Sequence, residues 1–188
     1  MITPDRHSAL PSAGDVLAYW RALGPQRWFV KDAAIDTEIR DRFRDLHAAA
    51  IEGLLADWEE DASSALAHII VLDQFSRNMF RDSAAAFAAD PLARAAADRA
   101  IGRGFDRQAG KAERAFYYLP YMHSEALADQ ERCLELCRVA EDEGTLEYAE
   151  LHADIIRRFG RFPHRNAVLG RVTTPEEQAY LDSGGFAG

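Results

Sequence analysis

Nowhere along this 188-residue chain do apolar and polar residues alternate with period two for long enough to make a strand, whereas apolar residues recur at helical spacing almost from end to end. Val16, Leu17, Trp20 and Leu23 mark one stripe, and Ile39, Phe43, Leu46 and Ala50 a second. Leu66, Ile69 and Ile70 open a third, which continues on the same face into Asp73 and Arg77. Ala112, Ala115, Phe116 and Leu119 follow, then Leu127, Leu134 and Cys137. Segments of this length joined by short breaks predict an all-α fold of stacked antiparallel helix pairs, without a literal repeat of fixed period. One domain is expected over residues 1–188, with 1–11 and 183–188 as loose ends and Phe186 as a candidate anchor.

The breaks carry their own chemistry. Ser12 with Asp15 predicts a capped helix start, Gly24-Pro25 a stop, and Trp28-Phe29 an apolar pin for the connector that follows. Asp36 is expected to cap the second helix, and Asp61 to Ser64 to start a third that runs to about Asn78. Asp90-Pro91 and Gly104 bound another helix, and Pro120 is expected to break the one beginning near Lys111. Ser124 or Asp129 would cap the next. Thr145 is expected to open a helix apolar on two sides, with His152 as a core histidine, and Thr174-Pro175-Glu176-Glu177 forms a capping box for a last short helix.

Charge narrows the partners. A net charge of −9 argues against nonspecific binding to nucleic acid or to anionic membranes, both of which need a basic face. No stretch has the apolar length of a membrane span and the N-terminus has no signal-peptide core, so a cytoplasmic protein is expected. Cys133 and Cys137, the two cysteines, fit small core residues in a reducing compartment.

Against this acidic background one stretch stands apart: Arg157-Arg158-Phe159-Gly160-Arg161-Phe162-Pro163-His164-Arg165-Asn166, running on to Arg171, contains no acidic residue. So many donors with so few acceptors require an anion, either one of the protein's own carboxylates or a ligand's. Asp73 and Arg77, four apart on a core stripe, are expected to pair with each other.

Three runs resemble the bacterial domain-of-unknown-function 924 family: Leu72-Asp73-Gln74-Phe75-Ser76-Arg77-Asn78-Met79-Phe80-Arg81, Leu119-Pro120-Tyr121-Met122-His123-Ser124-Glu125, and Arg158 to Asn166. Val16-Leu17, Trp20 and Trp28-Phe29 are similar to its N-terminal signature, so the resemblance extends from about Val16 to Leu181. It implies an all-helical, right-handed array similar to tetratricopeptide proteins, and it implies no activity. One departure is Ser76, where the family usually has proline; a proline would kink the helix and turn Arg77-Asn78.

Several chemistries fail on the residues present. There is no H-E-x-x-H, no second cysteine pair, no Walker loop, no G-x-G-x-x-G and no G-x-S-x-G elbow, so neither a metal nor a nucleotide cofactor is expected. His123-Ser124-Glu125 copies part of the zinc-deaminase signature without its P-C-x-x-C partner. What remains is a donor-rich candidate ligand site of Arg161, His164, Arg165 and Asn166, with Arg77, Asn78 and Asp73 as candidate facing residues. Three functions fit it: binding of a small anionic metabolite or carboxylate; an enzyme with His164 or His123, and Glu125, in acid–base roles; or an interaction scaffold that takes a partner helix or tail. An open pocket lined by these residues favours the first two, and arginines paired internally favour the third. Oligomeric state is not written in these residues.

Overall fold

Ser12 and Asp15 exchange hydrogen bonds in a complete capping box, and the helix they start, α1, runs Ala13–Leu23. The computed structural model describes residues 10–186, so the expectation of loose ends is open to description only at 10, 11 and 183–186. In chain order there follow α2 (Ala33–Ile51), α3 (Ala62–Ile70), a π-helical turn at Val71–Phe75, α4 (Ser76–Met79), α5 (Asp90–Gly102), α6 (Lys111–Met122), α7 (Leu127–Val139), α8 (Glu143–Phe159) and α9 (Pro175–Asp182), with short 3-10 turns between several of them. The described residues contain no strand. No helix among them is long and apolar enough to cross a membrane.

The helices form two compact units, the first made of the described residues up to Arg81 with Ala85–Tyr117, the second of Asp82–Ala84 and the described residues from Tyr118 onward. The first is built around aromatic residues. Trp20 stacks on Trp28 at 6.0 Å and meets Phe75 and Phe116 edge-on, while Phe43 packs on Phe75 at 4.8 Å. Trp28 pins the connector as expected, its Nε1 donating to Trp20 O at 2.6 Å. Phe29 does so only partly, stacked on Phe116 yet 66% exposed.

Asp32, not Asp36, caps α2, its carboxylate accepting from the N–H groups of Ala34 and Ile35. Asp36 instead lies buried inside the helix and takes a two-pronged grip from Arg81 (2.6 and 2.8 Å) and a bond from Asn78 (2.8 Å). Burial pushes the Asp36 carboxyl up, but these donors outweigh it and hold its pKa below the ordinary value.

The helix expected from Asp61 to Asn78 is interrupted by the π turn, and no proline is needed for the distortion. A π turn shifts backbone pairing from four residues to five and disturbs the carbonyl ladder. At the bulge the Ser76 hydroxyl donates to Leu72 O (2.6 Å) and Arg77 Nη1 donates to Asp73 O (2.9 Å). Since the only hydroxyl proton of Ser76 is spent on Leu72, His47 Nε2, 2.6 Å from Ser76 Oγ, must be the donor in that contact. Ser76→Ala is therefore expected to cost about 1–3 kcal/mol, because it leaves the buried imidazole N–H of His47 without a partner. Urea denaturation checks this, and a change within about 0.5 kcal/mol would contradict it.

In the second unit α7 and α8 pack as a hairpin, and Ile155, Ile156 and Phe162 form a core with Phe159, Tyr180 and Phe186 against it. Asp142, three residues ahead of Thr145, caps α8, and both Cys133 and Cys137 are buried and free. Pro120 does not break α6, which continues to Met122. The polar groups at that end are met by buried Gln130, whose Nε2 donates to the carbonyls of Tyr121, Met122 and Ser124 at 3.3, 2.7 and 2.6 Å. Two N–H groups serving three acceptors make a shared bond, and the helix can end late because its carbonyls are collected by one side chain. Ser124 does not cap α7 directly; its hydroxyl donates to Asp129 and accepts from Ala126 N.

Candidate functional site

The arginine loop begins where α8 stops. Gly160 takes the left-handed conformation (φ 67°), with its N–H returned to Ile156 O, and the chain turns into Arg161. A short 3-10 turn, Pro163–Arg165, follows. At its far side Thr174 and Glu177 make the expected capping box at the head of α9.

Glu177 does more than cap. Its carboxylate, 2% exposed with the rest of the residue, accepts from Arg161 Nε and Nη2 at 2.6 and 2.8 Å, from Asn166 Nδ2 at 3.1 Å and from Thr174 N at 2.8 Å. Arg161 also donates to Val172 O. The Arg161 fork, working against burial and helped by the Thr174 N–H, brings the Glu177 pKa down to about 2.

A second fork lies beside the first. Arg171 grips both oxygens of Glu125 at 2.6 and 3.0 Å, and its Nε and Nη2 donate further to Asn166 Oδ1 (3.0 Å) and Phe162 O (3.1 Å). Phe162 N–H donates to Glu125 at 2.8 Å. Burial raises the Glu125 carboxyl, but Arg171, the Phe162 N–H and the charge of Arg165 outweigh it and its pKa falls below the ordinary carboxylate value. Arg161, Glu177, Asn166, Arg171 and Glu125 thus form one continuous run of hydrogen-bonded partners that ties the loop to α9 and to the end of the α6–α7 corner.

Arg165 is buried, its guanidinium 4.4 Å from the Phe162 ring centre. His164 packs against Phe162 and Phe186, and its buried Nδ1 makes no hydrogen bond. Burial, with the neighbouring charges of Arg165 and His152, lowers its pKa to about 4 and keeps the imidazole neutral. His152, as expected for a core histidine, bonds Tyr148 O at 2.7 Å. His123 ends α6 half-buried, its N–H bonded to Leu119 O.

Asp73, Arg77 and Asn78 belong to the first unit. Asp73, 1% exposed, and Arg77 are 3.1 Å apart, as the spacing predicts, but Arg77 also forks onto Asp90 at 2.9 and 3.1 Å. Removing Asp73 would therefore not strand the arginine, since Asp90 retains it. Asn78 faces Asp36. Residues that sequence reasoning missed are Glu177, whose capping motif concealed its second duty, and Arg171, Asp36 and Asp90. Among the described residues no group of three His, Cys, Asp or Glu side chains is placed to hold a metal ion.

No curated protein matches the chain. Among solved structures it is similar to one described as a protein of unknown function, ATU0120, from Agrobacterium tumefaciens, with 49% identity and a TM-score of 0.89 over 92% of this chain and 97% of that one. The family described as bacterial protein of unknown function (DUF924) matches residues 16–185, the span that holds both units and the arginine loop, and the chain belongs to that family.

Proposed function

We propose that this chain is a helical interaction module in which the arginine-rich loop is a clamp, not a receptor for a free anion. The observation that carries the reading is the pair of forks: each carboxylate beside the loop takes both prongs of one arginine, Arg161 on Glu177 and Arg171 on Glu125. Guanidinium groups held this way have satisfied their demand for an anion within the protein. A tetratricopeptide-like stacking of the helices, which the family resemblance implies, would suit such a role. The outer face of α8 offers a surface for it. Tyr148 (60% exposed) and Leu151 (40% exposed) lie there among exposed Glu147, Glu150 and Asp154, a pattern complementary to a basic amphipathic helix.

A second reading keeps the loop as an anion-binding or acid–base site centred on His164 and Arg165. It draws support from the positive surroundings that help hold His164 neutral in a chain of net charge −9. Two titrations separate the readings. For the module, labelled basic amphipathic peptides should bind in a salt-sensitive way, and the Tyr148→Glu, Leu151→Glu double variant should lose that binding with its melting temperature unchanged. Phosphate, sulfate and dicarboxylates should leave the wild-type melting temperature unmoved, and Arg165→Ala should melt lower with or without them. If no peptide binds, while one anion raises the wild-type melting temperature and Arg165→Ala abolishes the rise, the second reading replaces the first.

A further inference from the structure

His68, in the last turn of α3, is 6% exposed, and both of its ring nitrogens lie buried without a hydrogen bond. A neutral imidazole carries one N–H and one lone pair, so two polar atoms go unmet, and such groups call for an explanation in what they are placed to meet. We propose that Glu59 is the shared anion of a proton-operated latch: Arg99 holds it while His68 is neutral, and His68 takes it over on binding a proton, which loosens the grip of α5 on the turn ahead of α3.

Glu59 ends the 3-10 turn Ala56–Glu59, and its Oε1 lies 3.7 Å from His68 Nδ1, beyond hydrogen-bond reach. The carboxylate is committed elsewhere. Arg99 of α5 forks onto it, Nε donating to Oε2 at 2.6 Å and Nη2 to Oε1 at 2.5 Å. Arg103, which caps the end of α5, donates to the Glu59 carbonyl. α5 thus holds the turn by both the side chain and the backbone of one residue. The charges that face His68 come from the two elements packed on α3 at this point: Glu59 and Asp57 from the turn, and Arg99 from α5.

His68 and Arg99 therefore compete for one oxygen, since the Oε1 that serves Arg99 Nη2 is also the one nearest the imidazole. Burial, helped by the Arg99 charge, outweighs the pull of Glu59 and Asp57 and holds the His68 pKa below the ordinary histidine value. Below that point solvent supplies a proton to the ring, and a buried cation must find a counter-charge. Closing the gap by about 1 Å gives it a charge-assisted bond to Oε1. Arg99 yields at small cost, because its side chain is 50% exposed and water can take over its donors; the His68 side chain, 8% exposed, has no such alternative. Glu59 stays ionised throughout and only its partner changes. The Arg103 bond to its carbonyl remains, so the turn loosens without leaving α5.

NMR titration of the full chain tests the latch, with His68 read from its imidazole C–H shifts and the turn from amide hydrogen exchange. The N–H groups of Trp58 and Glu60, bonded to Leu55 O and Asp57 O, are the probes. Corrected for the intrinsic pH dependence of exchange, their protection should fall at least about tenfold on acidification, with the midpoint of the His68 titration. Arg99→Met, which removes the competitor from an exposed position, should raise the His68 midpoint by at least about half a pH unit. Arg44→Met, an equal change of charge at an exposed position on α2, should not. Glu59→Gln, which leaves no anion to hand over, should lower the midpoint and make the protection of the turn independent of it. An identical His68 midpoint in Arg99→Met and Arg44→Met, turn protection that does not follow the His68 titration, or a His68 that takes up no proton before the chain unfolds would overturn the proposal.

Discussion

Glu177→Ala is expected to lower the free energy of unfolding by about 3–5 kcal/mol. The carboxylate is buried and serves four donors, so its loss leaves the Arg161 guanidinium facing an apolar methyl, with the Asn166 amide and the Thr174 N–H also deprived. Breaking one side of such a cluster is more damaging than the net value of the pair, because the buried Asn166 amide loses its acceptor and the part-exposed Arg161 guanidinium regains only some of its water. Glu177→Gln keeps one acceptor oxygen for the helix cap and loses the charge, and should fall between Ala and wild type. Urea denaturation at neutral pH measures both variants. A loss under about 1 kcal/mol for Glu177→Ala would mean that water replaces the carboxylate and the loop is not clamped. The same carboxylate sets an acid limit. Its folded pKa is depressed, so its contribution is complete above the unfolded value of a glutamate and is lost as pH falls through that value toward about 2.

The second large effect lies higher on the pH scale. His47 and His164 are each brought from 6.5 to about 4, His47 by burial alone and His164 by burial with Arg165 and His152. Between those values the unfolded chain binds protons that the folded chain refuses, so stability falls as pH falls. The contribution of the neutral imidazoles is complete above 6.5 and is lost progressively down to about 4. At about 1.4 kcal/mol per unit, each histidine accounts for about 3 kcal/mol over that window. The overall charge pulls the other way, since an acidic chain relieves its self-repulsion as it approaches its isoelectric point. A net decline on acidification would therefore be the signature of the histidines. His47→Gln, which still donates to Ser76, and His164→Phe, which keeps an aromatic ring between Phe162 and Phe186, should each flatten the decline in part, with buried His68, whose pKa is also lowered by burial, supplying a further share. Urea midpoints collected across the window check this, and a flat wild-type profile would contradict it.

Helix content was legible because it rests on local rules. The stripes of α1, α2 and α3, the capping boxes at Ser12 and Thr174, and the Asp90-Pro91 start all depend on residues within a few positions of each other. Asp73 and Arg77 were legible for the same reason. Other features were not. The π turn at Val71–Phe75 leaves no mark on the apolar period, and its two side-chain donors are visible only once the backbone is placed. α6 runs past Pro120 to Met122, where Gln130, ten residues on from the proline, collects the carbonyls that end the helix. At the candidate site the donor excess announced that an anion was required but not whose. Arg161 finds it sixteen residues away in a glutamate already accounted for as a cap, and Arg171 finds it in Glu125, forty-six residues earlier. Such pairings are set by how elements meet, and local spacing does not encode them.

The measurement that bears most directly on the clamp is a double-mutant cycle on Arg161 and Glu177, using Arg161→Met and Glu177→Leu, singly and together, by urea denaturation with and without phosphate. A clamp predicts a coupling of about 2–3 kcal/mol, a double variant more stable than the sum of the single losses allows, and no response to phosphate in any of the four proteins. A coupling under about 0.5 kcal/mol, with phosphate stabilising the wild type and not Arg161→Met, would contradict it and return Arg161 to the role of an anion receptor.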